Sequence, residues 1–262
     1  MSEEVKRSPV PRPARWRRLL AEAVGTGLLV TVVVGSGIAA QRLSPSDVGL
    51  QLLQNSTATV FGLAVLILVL GPVSGAHFNP IVSLADWFVG RHSRTGLALG
   101  DVAAYSVAQV AGAVLGAVLA NAMYGLAPVE ISEHARASWT AGLAEVVATA
   151  GLIAVIFALA RTGRGALAAW AVGAYIGSAY WFTSSTSFAN PAVTIGRVFS
   201  DTFAGITPSS VPAFVAAQLV GAVIGLALVL ALYPDTSERA AAAEHAIATD
   251  LSSNPTRQHL GL

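Results

Sequence analysis

Apolar residues in this chain come in long blocks, not in the short alternations of a half-buried strand. Six blocks fall at 19–40, 49–70, 96–122, 138–160, 166–183 and 209–233. Each approaches the roughly 20 apolar residues that a helix needs to cross a hydrocarbon core. The pattern therefore predicts an all-α membrane protein with six transmembrane helices. Polar segments flank this region. Residues 1–18 carry Lys6, Arg7, Arg12, Arg15, Arg17 and Arg18 among prolines and read as a disordered basic arm; they are too polar for a signal-peptide core. Residues 234–262 read as a loosely ordered tail.

Two connections do not behave as loops. After the second block comes Gly-Pro-Val-Ser-Gly-Ala-His-Phe-Asn-Pro-Ile-Val, and after the fifth comes Ser-Phe-Ala-Asn-Pro-Ala-Val-Thr. Each is polar at its start and then apolar for about ten residues, too short to span a bilayer. Asn is a favoured N-cap, and Pro suits the first helical position because its missing N–H would have been unpaired there. Asn79-Pro80 and Asn190-Pro191 thus predict two re-entrant half-helices. Backbone that stops at membrane depth has to line a water-filled cavity or be buried in protein, so two such elements imply a cavity.

The second half of the chain restates the first. Leu20-Ala21-Glu22-Ala23-Val24 answers Leu143-Ala144-Glu145-Val146-Val147, and the two Asn-Pro pairs answer each other. Ala108-Gln109-Val110-Ala111-Gly112-Ala113-Val114-Leu115-Gly116 answers Ala217-Gln218-Leu219-Val220-Gly221-Ala222-Val223-Ile224-Gly225. A repeat of three spans is odd in number, so the second copy (138–233) runs upside down relative to the first (19–122). Such inverted repeats place a site near the midplane, between the copies.

Charge orients the spans and narrows the function. Arg91, Arg94, Arg161 and Arg164 fall in the loops on the side of the termini, against Arg42 and Arg136 opposite. By the positive-inside rule both termini are cytoplasmic in a multi-pass cell-membrane protein. Charged residues make up 11% of the chain, against about 25% in soluble domains. The basic residues lie at membrane borders and not on one surface stripe, so a net charge of +1 carries no nucleic-acid signal and no nucleic-acid partner is expected. The chain has no cysteine, which removes disulfides, thiolate metal sites and thiol nucleophiles. It also lacks a nucleotide-binding glycine motif and a paired-histidine metal site. No enzyme, cofactor or metal is expected.

The string Ser74-Gly75-Ala76-His77-Phe78-Asn79-Pro80, its partner Asn190-Pro191-Ala192, and Glu22, Glu145, Gln109 and Gln218 in register together resemble the major intrinsic protein family, the aquaporins and glycerol facilitators. The resemblance implies an aquaporin-like channel for small neutral solutes across the lipid bilayer, assembled as a homotetramer with one pore per subunit. It implies a pore centre at Asn79, Pro80, Ile81, Asn190, Pro191 and Ala192. Glu22 and Glu145 then accept hydrogen bonds from the re-entrant loops, supported by Gln109 and Gln218. Gap-free alignment from each Asn implies a selectivity filter of Thr59, Ser178, Ser187 and Val193, with Phe61 the alternative to Thr59. Two departures stand out. Ile81 replaces a methyl-sized residue, and Val193 stands where most members carry the filter arginine, which implies a wide filter. Asn-Pro-Ala-Val-Thr-Ile followed by Ser200-Asp201-Thr202-Phe203-Ala204-Gly205 resembles the members encoded in bacterial arsenic-resistance operons, and implies passage of arsenous acid.

Other residues have plainer readings. Arg197 lies one turn beyond Val193, about 5 Å along a helix, and is expected to pair near Asp201. Tyr180, Trp181 and Phe182 read as an interfacial aromatic belt. His77 invites a pH gate, but a single histidine carries little. Gly112 with Gly116, and Gly221 with Gly225, read as close-packing positions. The competing function is a gradient-coupled secondary transporter, which shares inverted repeats and broken helices. It requires a coupling-ion site, and the intramembrane acids are two symmetric scaffold candidates.

Overall fold

The computed structural model describes residues 12–91, 93 and 95–233. Most of the basic arm, Arg94 and the tail from 234 lie outside the described residues. The described chain is helical, with no strand: α1 (Arg15–Leu43), α2 (Val48–Ser74), α3 (Pro80–Gly90), α4 (Leu99–Met123), α5 (Trp139–Arg161), α6 (Ala168–Phe182), α7 (Pro191–Gly196) and α8 (Val211–Leu232). Five helices are long and apolar enough to cross a membrane: α1, α2, α4, α5 and α8. The α6 helix has 15 residues and is preceded by a 3-10 turn, Gly165–Leu167. At 1.5 Å per residue α6 alone covers about 22 Å, and the turn extends it.

Hydrogen bonds between loops set the direction of each element. At the N-terminal face Arg12 donates to the Thr95 carbonyl (2.9 Å), Arg15 and Arg18 pair with Asp101 (2.8 and 3.1 Å), and Arg161 donates to the Tyr233 carbonyl. At the opposite face Arg42 donates to the Tyr124 carbonyl (2.8 Å), Phe203 N–H to Gln41 (2.9 Å) and Thr207 N–H to the His134 carbonyl (2.8 Å). The chain therefore crosses six times, while α3 and α7 enter from opposite faces and stop. These contacts also correct the proposed boundary at residue 18. Residues 12–18 are ordered, α1 starts at Arg15, and its basic side chains are tied to the start of α4.

Two helix pairs form the frame, α1 along α4 and α5 along α8. Their approach requires residues without side chains. A Cβ on Gly112 or Gly116 would fall on the carbonyl of Ala23 or Gly27, and one on Gly221 would lie 2.5 Å from the Val146 carbonyl. Gly225 meets the Ala150 carbonyl in the same way. The close-packing reading of these glycines therefore holds for both copies. The α2 helix runs four residues past its expected end, through Pro72, and stops at Gly75, whose φ of +92° is the left-handed geometry that ends helices.

Candidate functional site

The site is built from two loops that turn back inside the protein. Ala76 and Phe78 have φ of 49° and 50°, and Ser187 and Ala189 have 52° and 47°. These are the positions three and one residues before each Asn. Left-handed backbone at residues with a Cβ costs roughly 1–2 kcal/mol apiece, so something must hold it. Two buried carboxylates do so. Glu22 accepts from Ser74 Oγ (2.6 Å), the His77 N–H (3.0 Å), the Phe78 N–H (2.7 Å) and Gln109 Nε2 (2.7 Å). Glu145 accepts from the Phe188 and Ala189 N–H groups (both 2.8 Å) and Gln218 Nε2 (2.7 Å). Each glutamine also reaches a hydroxyl of the half-helix, Gln109 to Ser83 (3.1 Å) and Gln218 to Thr194 (3.0 Å).

The half-helices begin where the loops end. Asn79 Oδ1 accepts from the Ile81 N–H (3.0 Å), and Asn190 Oδ1 from the Ala192 and Val193 N–H groups (2.9 and 3.3 Å). The amides also lock the copies together. Asn79 Nδ2 donates to the Ala189 carbonyl and Asn190 Nδ2 to the Phe78 carbonyl, both at 2.8 Å. One N–H of each amide is thereby used; the other has no protein partner among the described residues. Both side chains face the same cavity.

That cavity has a volume of about 200 Å³, far above the ~10–15 Å³ that one water requires. It runs from Asp86, Ala160 and Ala168 near the N-terminal face to Thr59, Tyr180 and Arg197 toward the other. Its walls are stripes of helical period four: Leu29 and Val33 on α1; Thr59, Leu63 and Ile67 on α2; Leu152, Ile156 and Ala160 on α5; Ala168, Val172, Ile176 and Tyr180 on α6. The half-helices contribute matching triplets, Asn79, Val82 and Asp86 against Asn190, Val193 and Arg197. The cavity is thus apolar along its length, with two amides at its middle, a carboxylate at one end and a guanidinium at the other. A second cavity of about 250 Å³, bounded by Arg12, Arg18 and Tyr105, meets the first at Gly75, His77 and Asp86.

The sequence profile described as Major intrinsic protein matches residues 10–187 and 164–256. The chain belongs to the major intrinsic protein family. Over 212 residues it is 52% identical to "Aquaglyceroporin AqpS" of Rhizobium meliloti, covering 81% of this chain and 88% of that protein. It is 34% identical over 230 residues to the "Glycerol uptake facilitator protein" of Pseudomonas aeruginosa, covering 76% and 78%. Among solved structures it resembles the aquaglyceroporin of Plasmodium falciparum at a TM-score of 0.61 and 23% identity, covering 82% of this chain and 96% of that one. That last likeness concerns the fold. Membership makes the protein a membrane channel and not an enzyme.

Within this family member the expected site residues separate into those that reach the cavity and those that do not. Thr59, Ser187, Val193, Asn79 and Asn190 line it. Phe61 does not; it is 56% exposed on the outer surface of α2. Ser178 is also outside: it is exposed and its hydroxyl returns to the Tyr175 carbonyl (2.8 Å). Tyr180 stands at the wall instead, 3% exposed, with its hydroxyl 3.3 Å from Thr59 Oγ1. Two residues rotate a helix by about 200°, so Ser178 and Tyr180 point in nearly opposite directions. The stripe Ala168, Val172, Ile176, Tyr180 was the signal that could have found it. The aromatic-belt reading of Tyr180 fails with it, while Trp181 and Phe182 remain exposed.

Pro80, Ile81, Pro191 and Ala192 do not line the cavity. Ile81 is buried in a cluster with Val82, Ala85, Ile153, Phe157, Ala222 and Val229, so its bulk sits in the core shared by α3, α5 and α8. Ala192 likewise packs in the core. Arg197 overturns a further expectation. It does not pair with Asp201, which accepts instead from the Glu133 N–H (2.9 Å) and Ser132 Oγ (3.3 Å). Arg197 is 2% exposed, lines the cavity, donates Nε–H to the Ala204 carbonyl, and stacks 3.5 Å above the Phe188 ring. A second guanidinium, Arg136, lies 5.4 Å from the same ring and donates to the Gly205 and Phe203 carbonyls (2.6 and 2.7 Å). Burial lowers the pKa of Arg136 below the ordinary guanidinium value. The cavity wall at the end away from the termini therefore carries an arginine, where the reading from Val193 expected none. His77 sits where the two cavities meet, its Nδ1 3.1 Å from Ser83 Oγ and its ring against Tyr105.

Proposed function

We propose that this channel conducts small, uncharged, hydroxyl-bearing solutes downhill: water, glycerol-like polyols and arsenous acid. The observation that carries the reading is the lengthwise cavity with apolar walls and two free amide N–H groups at its midpoint. Apolar walls do not replace the hydration shell of an ion, whereas a neutral solute loses little and finds donors at the centre. The N-terminal ends of α3 and α7 add partial positive charge there, about half an elementary charge each, which opposes cations and protons. Thr59, Tyr180, Ser187, Val193 and Arg197 form the filter in this reading. The names of the relatives support glycerol, and the Asn-Pro-Ala-Val-Thr-Ile string with Ser200-Asp201-Thr202-Phe203-Ala204-Gly205 supports arsenous acid.

The protein is further proposed to be a homotetramer, as the family resemblance implies, and to lie in the cell membrane with both termini cytoplasmic, because Arg91, Arg161 and Arg164 stand on the N-terminal side. Swelling of proteoliposomes in water, glycerol and arsenous acid gradients tests the function. All three solutes should pass at rates indifferent to an imposed proton or sodium gradient. Uphill accumulation driven by such a gradient would instead identify a coupled transporter.

A further inference from the structure

We infer that Arg197 is the specificity-determining cation of this channel, taking from one helical turn away the part that Val193 leaves empty. The inference rests on the neutral-solute channel reading and adds the residue that enforces it. Val193 lies in α7 and Arg197 follows its last residue with helical backbone, four positions on, so they share a face, and both line the cavity. Arg197 is held rigidly. Nε–H is spent on the Ala204 carbonyl and the guanidinium plane lies on Phe188, whose own backbone N–H is fixed by Glu145. The two Nη groups have no hydrogen bond to protein among the described residues, although the side chain is 98% removed from solvent. Four N–H donors and a full positive charge are thus displayed on the channel wall.

Glu145 fixes the loop that carries Phe188 and does not itself line the cavity. The Thr59 and Tyr180 hydroxyls supply polar atoms to the same end of the cavity, and Val193 and Phe188 supply apolar surface. A cation at this level meets a fixed unit charge at short range in a low-dielectric setting, where repulsion is much stronger than in water. A neutral solute meets donors for its oxygens on one side and hydrocarbon on the other. In α3 the equivalent position is Asp86, at the other end of the cavity, so the positive filter belongs to one mouth only.

Arg197→Gln separates a filter role from a structural one. The glutamine Nε2 falls where the arginine Nε was, so the bond to the Ala204 carbonyl can persist while the charge and the four free N–H groups vanish. In proteoliposomes this variant should leak protons or sodium about tenfold or more above the parent, as expected for loss of a unit charge at close range, and its glycerol-to-water flux ratio should rise. Arg197→Lys keeps the charge and loses the planar fork. It should remain tight to cations while the same ratio rises. The parent's own fluxes report on the channel reading; the variant-to-parent ratios report on Arg197. An assembled Gln variant as tight as the parent, or a Lys variant with an unchanged glycerol-to-water ratio, overturns the inference.

Discussion

At the scale of single residues, the two buried glutamates carry a burden that can be compared between copies. Glu22 receives four hydrogen bonds and Glu145 three. Replacing either by Gln turns an NH₂ group toward donors, and each buried donor left unpaired costs about 1–3 kcal/mol. Glu22→Gln should therefore destabilise the detergent-solubilised protein by about 2 kcal/mol or more, and at least as much as Glu145→Gln. Thermal denaturation monitored by retention on size exclusion measures both. If either residue instead coupled protons, the surviving protein would lose gradient dependence rather than stability. Val193→Arg places a second guanidinium about one turn, ~5.4 Å, from Arg197. At an effective dielectric constant near 20 the repulsion is about 3 kcal/mol. The variant should assemble less well and should lose glycerol flux more than water flux, which swelling assays at matched protein levels would show.

At the scale of elements, the half-helices and the glycine-packed pairs make distinct demands. Asn190→Asp puts an anion at the positive end of α7 and deletes the donor to the Phe78 carbonyl. The dipole's contribution to cation exclusion is then offset, and proton or sodium conductance should rise in assembled protein; unchanged conductance would discount the dipole. Gly116→Ala forces a methyl group onto the Gly27 carbonyl. Overpacking of this kind costs roughly 1–3 kcal/mol or more, so α1 and α4 should separate and the folded yield should fall. By contrast Gly142, whose added Cβ would meet nothing within 4 Å, should accept Ala with no loss of yield. That contrast uses position alone, since both changes are made in long apolar helices.

At the scale of the whole molecule, the absence of cysteine from the chain predicts that thiol-directed mercurials leave solute flux unchanged. Complete, thiol-reversible block would mean that the flux belonged to another protein. The inverted repeat also explains why both copies build the lengthwise cavity. Each copy contributes a half-helix that ends at the midplane, and each Asn amide is bonded to the other copy's loop. Neither half closes the cavity by itself.

Periodicity and local chemistry were enough to read the membrane class, five of the long spans, the repeat and the two capped half-helices, because block length, capping and register are properties of neighbouring residues. The glutamate and glutamine pairs were legible for a related reason: a carboxylate inside an apolar helix needs partners, and two in register imply the same partners twice. The side chains that reach the cavity were not all readable by counting back from Asn190. Alignment by number placed Ser178 at the wall, whereas helix rotation turned it outward and Tyr180 inward. Ile81 looked like a pore residue, but it is buried in a cluster drawn from α3, α5 and α8. Arg197 looked like a partner for Asp201, but the loop that carries Ala204 and the ring of Phe188 captured its guanidinium first. Those outcomes depend on contacts between segments far apart in the chain, and only tertiary packing decides which face of a short helix meets the solute.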